Sequence, residues 1–403
     1  MIYILLTILC LFFIIVGLKC SKTNVFSPAV ITGFMWFASI LLYLTLGQKL
    51  PALSNNLALC LTLWICGLCF SSLYMQSATY RESDLTDASI LIRNIYLILS
   101  IAAIPELINF VKVVLVCGTS GNLAWDLRLA AIGQGSGFNK PFGGWFVVIW
   151  QATLLLEILF FEKKKWWRLA IIAVIFSCFG AVTMSKITFS SMFIFACTIL
   201  FFKKKITLKH LGIGALCLFS LFFIIQAARA AVEVSNVEGN SFFLNYIVSN
   251  LTAFDSLHPC SAEHFGENTF RFVYAVFYDL GLSDIKPINT LLKWVIKPIP
   301  TNTYTAMYPF YVDFGIIGLI IFPIIMGCTY GWIYKKAEKG NNFYILVYAT
   351  MVNMLIMQYA ADLFFTCFFG NVKLILLLII PFLEKKYNFL SFNKKTIQQY
   401  DKQ

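Results

Sequence analysis

The chain is poor in charge and almost without histidine. Only 12% of its 403 residues are charged and three are His, against 60% hydrophobic residues and a mean hydropathy of +0.80. That balance excludes soluble domains and marks a polytopic membrane protein. Metal-ligand patterns are missing as well. Ten of the twelve cysteines lie in or at the ends of apolar runs, where Cys acts as a small hydrophobe. His258 and His264, with Glu263, fit no zinc spacing, so neither metal nor cofactor is expected. No glycine loop fit to cradle phosphate is present: Gly212-Ile213-Gly214 lacks the strand and helix around it that a dinucleotide fingerprint requires and reads as helix packing. No A-x-A cleavage pattern follows the first apolar run, so it is expected to remain as a helix. No sequence repeat is visible, which removes support for an inverted-repeat carrier.

What is present is a series of apolar runs long enough for membrane helices. A bilayer core of roughly 30 Å needs about 20 apolar residues, and every backbone amide within it must be satisfied internally. The expected architecture is all-α with eleven spans: Ile2 to Leu18, Pro28 to Leu46, Leu57 to Met75, Ile95 to Val116, Gly144 to Phe161, Leu169 to Met184, Ile187 to Phe202, Leu211 to Ala227, Phe310 to Tyr334, Phe343 to Ala360 and Phe364 to Leu383. The 1–403 chain reads as one membrane domain, with external loops at 117–143 and 228–308 and a tail at 384–403.

Orientation follows from lysine and arginine. Placing the C-terminus inside puts 20 of the 31 basic residues on the cytoplasmic side and leaves the N-terminus and the long insert outside. The net charge of +12 therefore belongs to span ends and anionic headgroups, and nucleic acid is not expected as a partner. Cys117 and Cys260 alone fall in external loops, where an oxidising compartment would permit a disulfide.

The 228–308 insert holds five bases and seven acids, so it is no general attractor of anions. Ser241 to Leu257 and Thr269 to Leu282 have apolar positions at three- and four-residue spacing, expected for short amphipathic helices on a membrane surface. Pro287 to Pro300, with Trp294, reads as an interfacial segment. In the smaller loop, Trp125 to Ala130 reads as one or two helical turns. The insert as a whole reads as a lid over the spans.

Four basic residues stand at the outer ends of different spans: Arg128, Lys186, Arg229 and Arg271. An arginine fork suits phosphate oxygens, and a pyrophosphate at headgroup level would need such groups from several helices. Snorkelling, or pairing with Glu233, Asp126 or Glu267, is the competing reading. Asp255, Glu263 and His264 are residue types able to take a proton from a hydroxyl. Charges inside spans are costly, which singles out Glu106, Lys112, Glu157, Asp362 and Lys373; for Lys373 an ion pair with an acid on another helix is expected.

Asn302-Thr303-Tyr304-Thr305, then Tyr311-Val312-Asp313-Phe314-Gly315 with Gly318 and Gly327, resembles the loop-to-helix signature of the O-antigen polymerase (Wzy) family of bacterial inner membranes. Phe265-Gly266, Thr269-Phe270 and Ser185-Lys186 are also similar, and the hydropathy layout agrees over nearly the whole length. Paired arginine-rich loop motifs found in some members are not evident.

The resemblance implies a metal-independent glycosyltransferase of the membrane-embedded C-type architecture, active on undecaprenyl-pyrophosphate-linked oligosaccharides at the periplasmic face. It implies Arg128, Lys186, Arg229 and Arg271 as pyrophosphate ligands, Asp255 or His264 as general base, and Tyr304, Tyr308, Tyr311 and Asp313 in substrate positioning. Membrane lipids and a chain-length regulator protein are the further partners it suggests. An O-antigen ligase, or a flippase or other transporter of lipid-linked oligosaccharide, is the alternative.

Overall fold

The computed structural model describes every residue except 48–49, 81–84, 136, 139–140, 215, 218–219, 221–246, 290–291, 296–300 and 389–403. The described chain is helical, and among the described residues β-bridges are limited to the isolated pairs Gly135–Phe138 and Val295–Thr301. In chain order the helices are α1 (Ile2–Cys20), α2 (Pro28–Leu46), α3 (Asn55–Ser77), α4 (Ile90–Ala102), α5 (Ile104–Cys117), α6 (Leu123–Ala131), α7 (Trp145–Leu159), α8 (Trp166–Val182), α9 (Lys186–Phe202), α10 (Ser249–Asp255), α11 (Arg271–Asp279), α12 (Tyr308–Glu338), α13 (Asn342–Met357) and α14 (Phe368–Tyr387).

Among the described residues six helical stretches are long and apolar enough to cross a membrane, and α7, α9 and α13 are shorter apolar helices. On α12 the exposed side chains include Ile316, Ile317, Ile320, Ile321, Ile324 and Ile325. A contiguous isoleucine face of this kind suits lipid rather than water. The fold is thus that of a multi-pass membrane protein; the expected span Leu211 to Ala227 lies largely outside the described residues.

Local chemistry accounts for several boundaries. Pro28 opens α2, where its missing N–H costs nothing, and Gly47 follows its last residue. Ser54 caps α3 by accepting the backbone N–H of Leu57. The span expected over Ile95 to Val116 is two helices, broken at Ala103. Pro105 is the cause: it has no N–H to donate back along a continuous helix and fits only in a first turn.

The chain divides into two compact units: Met1–Arg81 with Asn236–Lys336 and Met351–Asn371, and Glu82–Ser235 with Ala337–Thr350 and Val372–Gln403. In the first unit α1, α2 and α3 pack together. The buried Gln358 accepts the indole N–H groups of Trp36 at 2.9 Å and Trp64 at 3.2 Å, so its polar oxygen is satisfied in the core. Gly327 and Gly331 of α12 lie against α3, where a Cβ would collide with the carbonyl oxygens of Leu68 and Ser72. Two small residues four apart let the helix backbones approach this closely.

In the second unit α7 packs against α4, α8 and α9. The 117–143 loop folds back so that Leu127, Ala130 and Ala131 of α6 bury against Phe110 and Val114 of α5. Lys373 stands over the Trp145 ring at 4.7 Å, so a cation–π contact takes the place of the ion pair expected for it. Cys117 and Cys260 are both free thiols.

Candidate functional site

The Asn302 to Gly315 segment forms a joint in the first unit between the insert and α12. Thr303 donates its hydroxyl to Asn250 Oδ1 at 2.5 Å, and Asn250 donates its amide to the carbonyl of Tyr359 at 3.1 Å. The backbone N–H of Ala306 reaches the carbonyl of Gln358 at 2.8 Å. Tyr304 donates to the Lys293 carbonyl at 3.2 Å and its ring lies 4.9 Å from that of Tyr308. Tyr311 accepts the Asn56 amide at 2.7 Å, with its ring 5.1 Å from Phe254.

At Gly315 α12 departs from helical geometry, with φ 60° and ψ −140°. Just before it the carbonyls of Tyr311 and Val312 accept the backbone N–H groups of Cys260 and Ala262, each at 3.2 Å. Two rungs therefore fasten the insert to the bent helix. A side chain at 315 would face both a left-handed backbone and the Cys260 sulfur, 3.1 Å from where its Cβ would sit. Glycine at this position thus has a steric reason.

Asp313 faces the start of α11. Its carboxylate accepts the Asn268 side-chain amide at 2.7 Å, the Asn268 backbone N–H at 3.3 Å and the Thr269 backbone N–H at 2.7 Å. An anion in this place also opposes the positive end of the helix that follows. That helix begins with Arg271, whose Nε donates to the Ile288 carbonyl at 2.6 Å. Its terminal nitrogens have no carboxylate partner among the described residues. Burial pulls its guanidinium below the ordinary value and the nearby Cys367 pushes it up. Phe270 and Phe272 lay α11 on an aromatic floor, with Phe272 stacked on Phe368 at 4.2 Å and Phe270 close to Phe314, Phe322 and Phe365.

Asp255 ends α10 and is bound to Ser54, accepting its backbone N–H at 2.8 Å and also its hydroxyl. Tyr3 donates to the Ser54 carbonyl at 2.6 Å, which adds α1 to the same contact. His264 is exposed, in the turn before α11.

Asp362 closes the turn before α14, accepting the backbone N–H groups of Phe364, Phe365 and Thr366 at 2.9 to 3.0 Å and the Thr366 hydroxyl at 3.2 Å. Burial raises its carboxyl to about 6, while those four donors pull it down. It lines a small cavity of about 10 Å³ with Trp64, Tyr330 and Gln358, about the room one water needs.

Of the residues expected to act, Asp255, His264, Arg271, Tyr304, Tyr308, Tyr311 and Asp313 belong to the first unit, and Arg128 and Lys186 to the second. Arg229 lies outside the described residues. Arg128 is on α6, and Lys186 opens α9 beside the capping Ser185. Tyr304 and Tyr311 are 5% and 2% exposed and spend their hydroxyls on the protein, so they serve the joint rather than offering open faces to a sugar. Ser54, Asn56, Asn250 and Gln358 are the partners that sequence reasoning missed. Only Ser54 carried a local signal, as a cap before an apolar run.

Among the described residues no three His, Cys, Asp or Glu side chains cluster as a metal site. No family model, curated protein or solved structure matches this chain.

Proposed function

We propose that this chain is an O-antigen or related surface-polysaccharide polymerase. In this reading it joins undecaprenyl-pyrophosphate-linked repeat units at the periplasmic face of a bacterial inner membrane, with its C-terminus in the cytoplasm. The observation that carries the reading is Arg271. It is a half-buried guanidinium on an aromatic floor, held by one nitrogen, on a helix whose start Asp313 fixes, with its fork unspent on any described carboxylate.

The chemistry asks for these groups. A hydroxyl of the acceptor repeat unit attacks the anomeric carbon of the donor chain, the new glycosidic C–O bond forms, and the bond from that carbon to pyrophosphate breaks. Undecaprenyl pyrophosphate departs with the electron pair. Arg271 neutralises that charge at the joint; Arg128, Lys186 and Arg229 are the other basic residues proposed for that role. Asp255 or His264 takes the hydroxyl proton; Asp255 keeps lone pairs beyond the two contacts from Ser54. Tyr304, Tyr308, Tyr311 and Asp313 fix the joint beside Asp255 and Arg271.

The test is the glycan pattern of cells lacking the chain. Single repeat units on the lipid acceptor, without a ladder of longer glycans, support the polymerase. A normal ladder rejects it, unattached polymer points to a ligase, and lipid-linked units held on the cytoplasmic side point to a flippase.

A further inference from the structure

A second charged cluster, unrelated to the proposed chemistry, sits where α4, α7 and α8 meet in the second unit. Glu157 accepts four hydrogen bonds: from Arg93 through Nε at 3.2 Å and Nη2 at 2.9 Å, and from Arg168 through Nε and Nη2, each at 2.9 Å. Arg168 spends its third nitrogen on Asn94 at 2.6 Å. Arg93 does not. Its Nη1 has no acceptor among the described residues, although the side chain is only 7% exposed and lies 5.0 Å from the Phe160 ring.

A recess lined by Arg93, Glu157, Phe160, Glu162, Lys165 and Arg168 adjoins this arginine. Lys165 pairs with Glu162 at 3.0 Å, both half exposed. Three cations against two carboxylates leave one positive charge in the recess. That N–H keeps some access to solvent and can take an acceptor from outside the protein, and the surplus cation favours a negative one. The rim adds Lys163 and Lys164, with Trp166 and Trp167 62% and 46% exposed. Tryptophan beside lysine is the composition of a membrane interface, and basic pockets between spanning helices suit lipid headgroups.

We infer that the rim of this recess, whose interior has no room for a water molecule, binds the headgroup phosphate of an anionic phospholipid, whose oxygens accept from Lys165 Nζ and from the edge of Arg93 while its acyl chains lie along exposed apolar positions of α4 and α8 such as Ile98 and Val174. The inference does not rest on the polymerase reading.

Native mass spectrometry of the full-length protein in detergent, titrated with phosphatidylglycerol, with phosphatidylcholine and with inorganic phosphate, tests it. Phosphatidylglycerol should be retained at least about tenfold more tightly than phosphatidylcholine, and Lys165→Gln should weaken that retention roughly fivefold, the worth of one basic group at a lipid surface. Lys165 is exposed enough that the variant should fold, and Lys336→Gln, in the other unit, should leave retention unchanged. Equal retention of the two lipids overturns the inference, as does a preference that survives Lys165→Gln. If millimolar inorganic phosphate displaces phosphatidylglycerol, the recess is a site for soluble phosphate and the lipid assignment is wrong.

Discussion

Asp313 accepts the backbone N–H of Thr269 at 2.7 Å, so a carboxylate in the second turn of α12 fixes the start of the helix that carries Arg271. Asp313→Asn should lower polymer formation about tenfold, equivalent to about 1.4 kcal/mol. Because its effect runs through Arg271, the double variant with Arg271→Lys, which keeps residual activity, should be no worse than Arg271→Lys alone. Additive losses in that cycle would show that the two act independently.

Arg271→Ala should abolish polymer while the protein level in the membrane is kept. Arg271→Lys should rescue poorly, because an ammonium cannot reproduce two parallel contacts to phosphate oxygens. Blotting for the protein beside glycan gels separates a lost site from a lost fold, and full activity of the alanine variant would end the pyrophosphate assignment.

In the proposed polymerase Asp255 and His264 are the two candidates for one role, the general base. Removing the residue that takes the proton, by Asp255→Asn or His264→Gln, should cost about 10² to 10⁴ in turnover, whereas the other change should cost less than about tenfold. Ser54→Ala removes the cap of α3 and one bond to Asp255. It should destabilise the fold by about 1 kcal/mol and lower activity only as far as it frees Asp255.

The helices were legible where local chemistry decides them. Ser27, Pro28 and Gly47 bound α2 at the residues expected, and apolar runs place α1, α3 and α9 within a few residues. The break at Ala103 was written in Pro105 but hidden by the apolar run around it. The start of the last helix moved from Phe364 to Phe368, because Asp362 folds Phe364 to Thr366 into a turn. Long-range polar pairs were not legible. Asp255 and Ser54 are 201 residues apart, and Arg93 is 64 from Glu157, so neither spacing nor periodicity could join them. Arg93 and Arg168 read from sequence as topology signals, yet both are buried on one carboxylate.

Asp362 makes stability depend on pH. Its folded value of about 6 lies above the ordinary 3.8. The protonated form is therefore favoured in the fold; the stabilisation is complete below about pH 4 and lost as pH rises through 6. The unfolding midpoint in detergent should drop as pH rises from about 4 to about 6 and then level off, and Asp362→Asn should flatten that part of the curve.

Glu157→Gln leaves two buried guanidinium groups without their counter-charge and should destabilise the protein by about 3 to 5 kcal/mol. Thermal unfolding of the purified protein checks this, and a midpoint within a degree of the parent would contradict it.

The most direct measurement of the central claim is polymerisation by the purified protein, given a defined undecaprenyl-pyrophosphate-linked repeat unit and no nucleotide sugar. The account predicts a ladder of longer lipid-linked glycans with release of undecaprenyl pyrophosphate, lost in Arg271→Ala. Unchanged single units with the folded parent protein, or an equal ladder with the variant, would contradict it.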